Sequence, residues 1–339
     1  MTSYASFIRG LPKTELHMHI EGSIEPQMMF DLAARNGLKL RWDNPSELQA
    51  AYQFTNLQSF LDLYYEGCRV LLHEQDFYDV TAAYLRRAKQ DGVIHAELFM
   101  GPQSFTTRGV GIDVVMSGVL RAIEDGRRDL GISSGLIVTA QRHRTEADAM
   151  LLLDQIKPWS DRLLGIGMGG AEVGNPPSKF VHFFRACRDR GFRITIHAGE
   201  EGPASYVREA VELLGVDRID HGNSCLADPE LVKEIVRRKL ALTVCPLSNL
   251  RLKGVPSLEQ HPLKALMNAG LHVTLNSDDP SYFGGYVSEN FIECQRALDL
   301  SLNEIVGLAR NGFTAAFISP EERDRALASI DSYVTRFKK

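Results

Sequence analysis

The sequence lacks the features that mark membrane proteins and nucleic-acid-binding proteins. No apolar run among its 339 residues approaches the roughly 20 residues that cross a bilayer. The formal net charge is −5 and the basic residues form no cluster, which disfavours a nucleic-acid partner. We therefore expect neither a membrane nor a nucleic acid to be a partner of this chain.

Signs of disulfide bonding and export are also missing. The five cysteines are scattered and never form a CxxC pair, which disfavours both a disulfide framework and a thiolate zinc site. The N-terminal segment MTSYASFIRG lacks a basic region followed by an apolar core. We expect reduced thiols and a cytoplasmic location.

Short apolar runs alternate with longer amphipathic segments along the chain. Eight runs are rich in Ile, Val, Leu and Thr and lack strict alternation, which predicts parallel strands buried on both faces. They cover residues 14–20, 93–100, 132–140, 163–168, 192–198, 218–222, 240–245 and 271–277. Strands that alternate with helices predict an α/β fold, here a (β/α)8 TIM barrel. An open doubly wound sheet is the alternative, but no GxGxxG follows the first run.

Additional helices are expected at two places. Residues 24–70 are more than one crossover helix needs, so they are predicted to form two or three helices over one barrel end. Residues 289–298, 302–313 and 320–337 are predicted to close the chain, and Ser319-Pro320 is a typical helix start. Because no linker-like segment divides the sequence, we expect residues 1–339 to form one domain.

The segment TELHMHIE places His17 and His19 two residues apart in the first predicted strand. Residues i and i+2 of a strand share one face, so both imidazoles project to the same side. Two neutral imidazoles are the start of a site for a borderline metal ion such as zinc. On its own, the pattern fits an exposed strand with two histidines at least as well.

Polar residues also follow other predicted strands. His197 and Glu200 come at the end of the fifth, His221 at the end of the sixth, and Asp278 and Asp279 at the end of the eighth. Each has an alternative structural explanation as a strand-end histidine, a first-turn acid, a turn or a cap. A barrel brings all these strand ends to one mouth. Three histidines and a carboxylate there predict a metal site with an open position for water.

The other histidines are less informative. His143 follows the third predicted strand and is a candidate to contact the site from outside. Structural or surface positions are predicted for His73, His95, His182, His261 and His272.

The segments that carry these residues resemble a known family. KTELHMHIEGS, TIHAGEE, RIDHGNS, CPLSN and LNSDDPSYFGGY are similar to the signature segments of the adenosine/adenine deaminases, a branch of the amidohydrolase superfamily. The likeness runs from about residue 10 to the end. It implies a barrel with one Zn²⁺ per chain, a water nucleophile, and release of ammonia from a small-molecule purine.

The resemblance also implies roles for individual residues. His17, His19, His197 and Asp278 match the family's metal ligands, and Glu200 matches the residue that protonates ring N1. Zinc lowers the pKa of a bound water to about 7, and a general acid is worth about 10²–10⁴ in rate.

Further matches concern the substrate. His221 matches the histidine that orients or deprotonates the zinc-bound water, Asp279 the aspartate that contacts N7, and Gly170 the backbone N–H that holds N3. An ionised Asp279 can accept a hydrogen bond from N7 only if N7 carries hydrogen, so it would also select a tautomer. Glu21 stands where adenosine deaminases typically have an aspartate for the ribose 5′-hydroxyl, and its extra methylene would push into the ribose space.

Within the family, the free-base branch is favoured, and adenine is the predicted substrate. The segments AEVGNPPSKF, RIDHG and DDPSYFGGY resemble adenine deaminases. One departure is the run Met168-Gly169-Gly170-Ala171, where those enzymes usually carry a Leu-Asp-Ser-Ser type run. It is either loop drift or a roomier pocket for N6-substituted adenines; adenosine remains a further alternative.

Other functions remain as alternatives. Amidohydrolases with two metals often use a carboxylated lysine after strand four, but GIGMGGAE has no lysine. The other zinc deaminase design needs PCxxC, which is absent. An inactive barrel acting as a binding protein would be expected to have lost a ligand or the acid, and none is missing.

Overall fold

The computed structural model describes residues 4–337. Within that range eight parallel strands are hydrogen-bonded in chain order and form a nearly closed barrel, which confirms the predicted (β/α)8 fold. The strands are β1 (Lys13–His19), β2 (Val93–Met100), β3 (Ser133–Gln141), β4 (Leu163–Gly169), β5 (Arg193–Ala198), β6 (Arg218–His221), β7 (Ala241–Val244) and β8 (His272–Leu275). All residues of β6 and β7 are buried, as expected for parallel strands covered on both faces.

The barrel closes between its last and first strands at the mouth. Asp278, just after β8, donates its backbone N–H to the carbonyl of His17 at 2.8 Å and accepts from the N–H of His19 at 2.9 Å. Asp278 has a φ of 64°, a left-handed conformation that is uncommon for a side chain larger than glycine. This bridge therefore places the Asp278 carboxyl beside both histidines of β1.

Helices connect and surround the strands. They are α1 (Tyr4–Gly10), α2 (Pro26–Arg35), α3 (Pro45–Ala50), α4 (Leu57–Gly67), α5 (Glu74–Gln90), α6 (Gln103–Thr106), α7 (Ile112–Leu130), α8 (Glu146–Gln155), α9 (Val181–Asp189), α10 (Ala204–Glu209), α11 (Pro229–Arg238), α12 (Pro246–Arg251), α13 (Leu263–Asn268), α14 (Pro280–Phe283), α15 (Val287–Leu298), α16 (Leu302–Ala315) and α17 (Pro320–Phe337). Among residues 4–337, no helix has the length and apolarity that a bilayer crossing requires.

The additional helices lie where the sequence predicted them. Between β1 and β2, α2, α3 and α4 occupy the region that was expected to carry two or three helices. After β8, α15, α16 and α17 match the predicted closing helices. The start of α17 is a reciprocal cap, since Glu322 N–H donates to Ser319 Oγ at 3.2 Å and Ser319 N–H donates to Glu322 Oε2 at 3.0 Å.

The barrel interior is layered. At its N-terminal end, the buried Arg218 guanidinium donates to Glu97 Oε2 at 2.6 Å. Phe99, two residues further along β2, packs its ring 5.2 Å from that of His17. The lower interior is thus filled by a paired charge and an aromatic ring, which leaves the upper end for the site.

Candidate active site

The four side chains predicted to bind a metal converge at the C-terminal mouth of the barrel. His197 Nε2 lies 3.2 Å from His17 Nε2 and 3.0 Å from His19 Nε2. The Asp278 Oδ1 atom is 3.5 Å from the Nε2 atoms of both His17 and His19. The strand ends therefore bring together side chains of residues that are more than 250 positions apart in the sequence.

Hydrogen bonds behind the rings determine which nitrogen carries the proton. His197 Nδ1 lies 3.1 Å from Asp220 Oδ2, and Thr243 Oγ1 donates to Asp220 Oδ1 at 3.0 Å. His17 Nδ1 lies 2.9 Å from Thr243 Oγ1 and 3.3 Å from the Thr243 carbonyl. Because these partners accept at that position, both rings donate from Nδ1 and keep a lone pair on Nε2.

This proton arrangement fits a bound cation. When both rings are neutral with the proton on Nδ1, the Nε2 lone pairs of His17 and His197 face each other at 3.2 Å, which is repulsive unless a positive ion lies between them. Burial and the neighbouring His197 lower the pKa of His19 to about 3, so its imidazole is also neutral. Three imidazoles, which bind a metal ion through a neutral nitrogen, and a carboxylate form a donor set suited to zinc.

Asp220 supports this arrangement of protons because its carboxyl is ionised. Burial alone would raise its pKa, but the hydrogen bond from His197 and the neighbouring rings hold the pKa well below the ordinary value. Asp220 also accepts from Thr195 Oγ1 at 2.6 Å. Its carboxylate is therefore the common acceptor that orients two of the candidate metal-binding rings, His197 directly and His17 through Thr243.

His221 and Glu200 lie next to this cluster. His221 Nε2 is 3.5 Å from Glu200 Oε2 and 3.9 Å from Asp278 Oδ2. Neither ring nitrogen of His221 has a hydrogen-bond partner among residues 4–337. Burial lowers the pKa of His221 well below its ordinary value, so the ring is neutral and one of its nitrogens keeps a lone pair.

The Glu200 side chain is only 6% exposed, and its carboxyl favours the protonated form. Burial, reinforced by the charges of Asp278 and Glu172, raises the pKa of the Glu200 carboxyl well above its usual range. A carboxyl that stays protonated near neutral pH is suited to act as a general acid.

Asp279 lies beside the cluster and depends on a close backbone approach. A Cβ atom at Gly22 would lie 1.9 Å from Asp279 Oδ1, so the turn after β1 needs glycine. Burial and the neighbouring Asp278 raise the pKa of Asp279 well above its ordinary value. Asp279 Oδ1 has no hydrogen-bond partner in the described part of the chain and borders the pocket.

The pocket above these residues has an empty volume of about 520 Å³, including the part open to solvent. Helix α4, in the inserted region, lines one side with apolar and aromatic side chains, namely Leu57, Phe60, Leu61, Tyr64 and Tyr65. Polar residues Ser104, Thr139 and Gln141 also line the pocket, and the β4 end contributes Gly169 and Gly170. A pocket with aromatic and polar lining suits a planar heterocycle.

The two remaining candidates occupy different positions. Gly170 lines the pocket with a φ of +93°, and a Cβ there would lie 3.2 Å from His143 Nδ1. Glu21 is buried, and its Oε1 accepts from the backbone N–H of Gly101 at 2.8 Å. Gly101 lines the pocket, whereas Glu21 is fully buried and is not among the lining residues.

Comparison with known proteins identifies the family. The family model described as adenosine deaminase matches residues 12–333. The chain is 67% identical over 336 residues to an adenine deaminase from Rhodopseudomonas palustris strain BisB18, covering 99% of this chain and 98% of that relative. The chain belongs to the adenosine deaminase family. It is accordingly a hydrolytic deaminase.

Solved structures agree with this assignment. The crystal structure of adenine deaminase from Arthrobacter aurescens superposes with a TM-score of 0.94 at 46% identity, covering 96% of this chain and 99% of that one. An amidohydrolase from Burkholderia ambifaria with bound Zn superposes with a TM-score of 0.90 at 28% identity, covering 99% of this chain and 95% of that one. The predicted resemblance to the adenine deaminase branch of the family is confirmed.

Several residues of this deaminase site escaped the sequence analysis. Asp220 and Thr243 orient the ring nitrogens, and Glu172 and Arg142 lie behind the loop that carries Glu200. The partners of the ligand rings are thus Asp220 and Thr243, whereas the outer candidate His143 lies beside Gly170. Asp220 and Glu172 stood inside the RIDHG and AEVGN segments, so their positions in those segments were the available signal.

Proposed function

We propose that this chain is a zinc-dependent adenine deaminase that converts adenine and water into hypoxanthine and ammonia. The observation that carries the proposal is the cluster of three Nε2 lone pairs and one carboxylate that lies beside a buried Glu200 carboxyl. The relatives from Rhodopseudomonas palustris and Arthrobacter aurescens, which are adenine deaminases, support the substrate. The Zn-bound amidohydrolase supports the metal.

His17, His19, His197 and Asp278 would hold one Zn²⁺ per chain. When bound, zinc supplies Lewis-acid chemistry, lowering the pKa of a coordinated water so that hydroxide is available near neutral pH. His221 is placed to accept or orient the proton of the attacking water, since its buried, neutral Nε2 points toward Asp278 and Glu200.

Glu200 would donate its proton to N1 of the purine. An aromatic C6 is a poor electrophile until N1 is protonated, so attack by water needs this proton. Burial raises the pKa of Glu200 and so favours its protonated form, and transfer of that proton to N1 then leaves C6 electron-poor. Departure of ammonia completes the exchange of the amino group for oxygen.

Asp279 and Gly170 would hold the ring at N7 and N3. Because burial favours a protonated Asp279, its carboxyl would donate to an N7 that carries a lone pair. A protonated Asp279 that donates thus requires a purine tautomer without hydrogen on N7. An ionised Asp279 would instead require the tautomer with hydrogen on N7. Glu21, whose carboxyl accepts from the N–H of Gly101, would narrow the space that a ribose needs.

The test is a side-by-side assay of purified protein with adenine, adenosine and N6-alkyladenines, with zinc measured in the same preparation. We expect about one zinc per chain and the highest kcat/KM for adenine. If adenosine gives the highest value, the free-base assignment is wrong. A zinc-loaded protein that deaminates none of them would favour the inactive barrel.

N6-substituted adenines are a second candidate because side chains are missing at the end of β4. Gly169 and Gly170 line the pocket, and a Cβ at Gly169 would lie 3.4 Å from the His197 ring. A side chain there would therefore occupy space next to the metal site. If adenine exceeds every N6-alkyladenine by orders of magnitude in kcat/KM, this second candidate is excluded.

A further inference from the structure

The loop that carries Glu200 is wrapped around the carboxylate of Glu172. Glu172 Oε1 accepts from the backbone N–H of Gly199 at 2.7 Å. Glu172 Oε2 accepts from the N–H groups of Glu200 at 3.0 Å, Glu201 at 2.8 Å and Gly202 at 2.7 Å. Consecutive N–H groups that converge on one anion form a concave binding site called a nest.

The glycines of this loop make the close approach possible. A Cβ at Gly202 would lie 2.6 Å from Glu172 Oε1, so any side chain there would push against the carboxylate. Gly199 has a φ of +78°, and a Cβ there would lie 2.5 Å from Ser224 Oγ. Gly202 therefore permits the close approach to Glu172, whereas Gly199 permits the left-handed turn beside Ser224.

Arg142 supports the carboxylate from behind. Its Nη1 lies 3.8 Å from Glu172 Oε1 and donates to the carbonyl of His197 at 2.6 Å, and its Nε donates to the carbonyl of Asn175 at 2.9 Å. Arg142 is fully buried and Glu172 is 1% exposed. A buried carboxylate with four N–H donors and a nearby cation is held in one position.

The same loop also reaches the pocket cover. Glu201 Oε1 accepts from the backbone N–H of Leu57, the first residue of α4, at 2.8 Å. A shift of the loop would therefore move Glu200 and the start of α4 together.

We propose that Glu172 is a positioning residue for the reaction, one that orders the loop of residues 199–202 so that the Glu200 carboxyl meets the substrate ring. This inference rests on the proposed role of Glu200 as the proton donor. Glu172 touches no reacting atom, since its oxygens are taken by backbone N–H groups. Misplacing a catalytic group by about 1 Å can cost about 10²-fold in rate, so the effect should be large.

The direct test is Glu172→Gln. The glutamine amide has one acceptor oxygen and one NH₂ group. The NH₂ group must face at least one backbone N–H of the loop, so two donors oppose each other and the nest opens. We expect kcat to fall about 10²-fold while KM changes less than about threefold and zinc stays near one per chain. Zinc loss in proportion to activity would instead mean that Glu172 supports the metal strand, and would overturn the proposal.

A double variant separates positioning from general structural damage. If Glu172 acts through Glu200, adding Glu172→Gln to Glu200→Gln should lower kcat by less than about threefold beyond Glu200→Gln alone. If the two losses multiply, Glu172 acts independently of Glu200 and the proposal is wrong. The kcat ratios of variant to wild type are measured with the purine that the wild type turns over fastest. An incorrect substrate assignment would appear separately, because the wild type itself would then be inactive on adenine.

Two further variants complete the design. Gly202→Ala disturbs the same contact from the loop side without changing Glu172, and it should reproduce the loss of kcat at constant zinc content. Asp217→Asn is the matched control, because Asp217 Oδ2 accepts the backbone N–H of Ile194 at 2.8 Å at the opposite end of β5. It should leave kcat within about threefold. Unchanged kcat in both Glu172→Gln and Gly202→Ala would refute the inference.

Discussion

Replacing Asp220 by asparagine should weaken metal binding although Asp220 contacts no metal. The two Asp220 oxygens have different partners: Oδ1 accepts from the hydroxyls of Thr195 and Thr243, and Oδ2 faces His197 Nδ1. An asparagine has only one acceptor oxygen. If its oxygen faces the hydroxyls, its NH₂ group faces His197 Nδ1 and selects the tautomer with the proton on Nε2.

The opposite orientation of the substituted amide does similar damage at the other ring. Its NH₂ group would then donate to Thr243, whose hydroxyl proton would turn toward His17 Nδ1. His17 would carry its proton on Nε2, the nitrogen that faces His197 at 3.2 Å. In both orientations one metal-binding nitrogen is blocked by a proton.

The expected loss of zinc affinity follows from removing one hydrogen-bond partner that orients a candidate metal ligand. Removing such a partner typically costs 10–100-fold in metal affinity, or about 1.4–2.7 kcal/mol. Zinc affinity would be measured by competition with a chelator, using Asp217→Asn as the control. Excess zinc should restore part of the lost activity. Unchanged affinity in Asp220→Asn would refute the tautomer argument.

Three further predictions test other parts of the site and fold. Asp278→Ala should deplete zinc, measured by atomic absorption after dialysis; retention of one zinc per chain would remove Asp278 from the ligand set. Gly22→Ala places a Cβ 1.9 Å from Asp279 Oδ1, so we expect KM for adenine to rise at least about tenfold with zinc retained, on the scale of one lost substrate contact. His261 is buried and accepts the N–H of Leu263 at Nδ1 at 3.1 Å, and burial lowers its pKa to about 4 from 6.5. The unfolded chain binds a proton on His261 more tightly than the folded chain does. The contribution of neutral His261 to stability is therefore present above pH 6.5 and is lost as the pH falls toward 4. Between pH 7 and 5, urea unfolding should show wild type losing about 2 kcal/mol more than His261→Gln; equal losses would contradict the prediction.

Much of the fold was predictable because its signals are local. Apolar runs gave eight strands whose observed bounds differ from the predicted ones by a few residues at most. The start of α17 at Ser319-Pro320 was recognisable because a cap depends on neighbouring residues. Strands that are buried on both faces do not alternate apolar and polar residues. These strands were therefore identified by their composition and length.

The convergence of the candidate metal ligands was predictable for a different reason. Parallel strands in a barrel bring their C-terminal ends to one mouth, so polar residues at those ends become neighbours whatever their distance in sequence. His197 and Asp278 met the histidines of β1 for this reason. Nothing in that rule describes residues below the mouth, and Thr243, inside β7, was missed.

Asp220 was missed because strand alternation gives the wrong answer at the end of β6. Adjacent residues of a regular strand project to opposite faces, so a site role for His221 implies that Asp220 points away. His221, however, has a φ of 65°, which ends the regular strand. Both side chains then reach the barrel interior, where Asp220 pairs with His197 and Thr243.

The acids at positions 220 and 172 share a requirement that explains their chemical identity. Asp220 accepts from three side-chain donors, and Glu172 accepts from the N–H groups of residues 199–202. An amide of the same shape offers one acceptor oxygen and adds two donors, so it cannot satisfy either set. A carboxylate is needed at both positions because of the number of donors that face it, even though neither group would touch the metal or the purine.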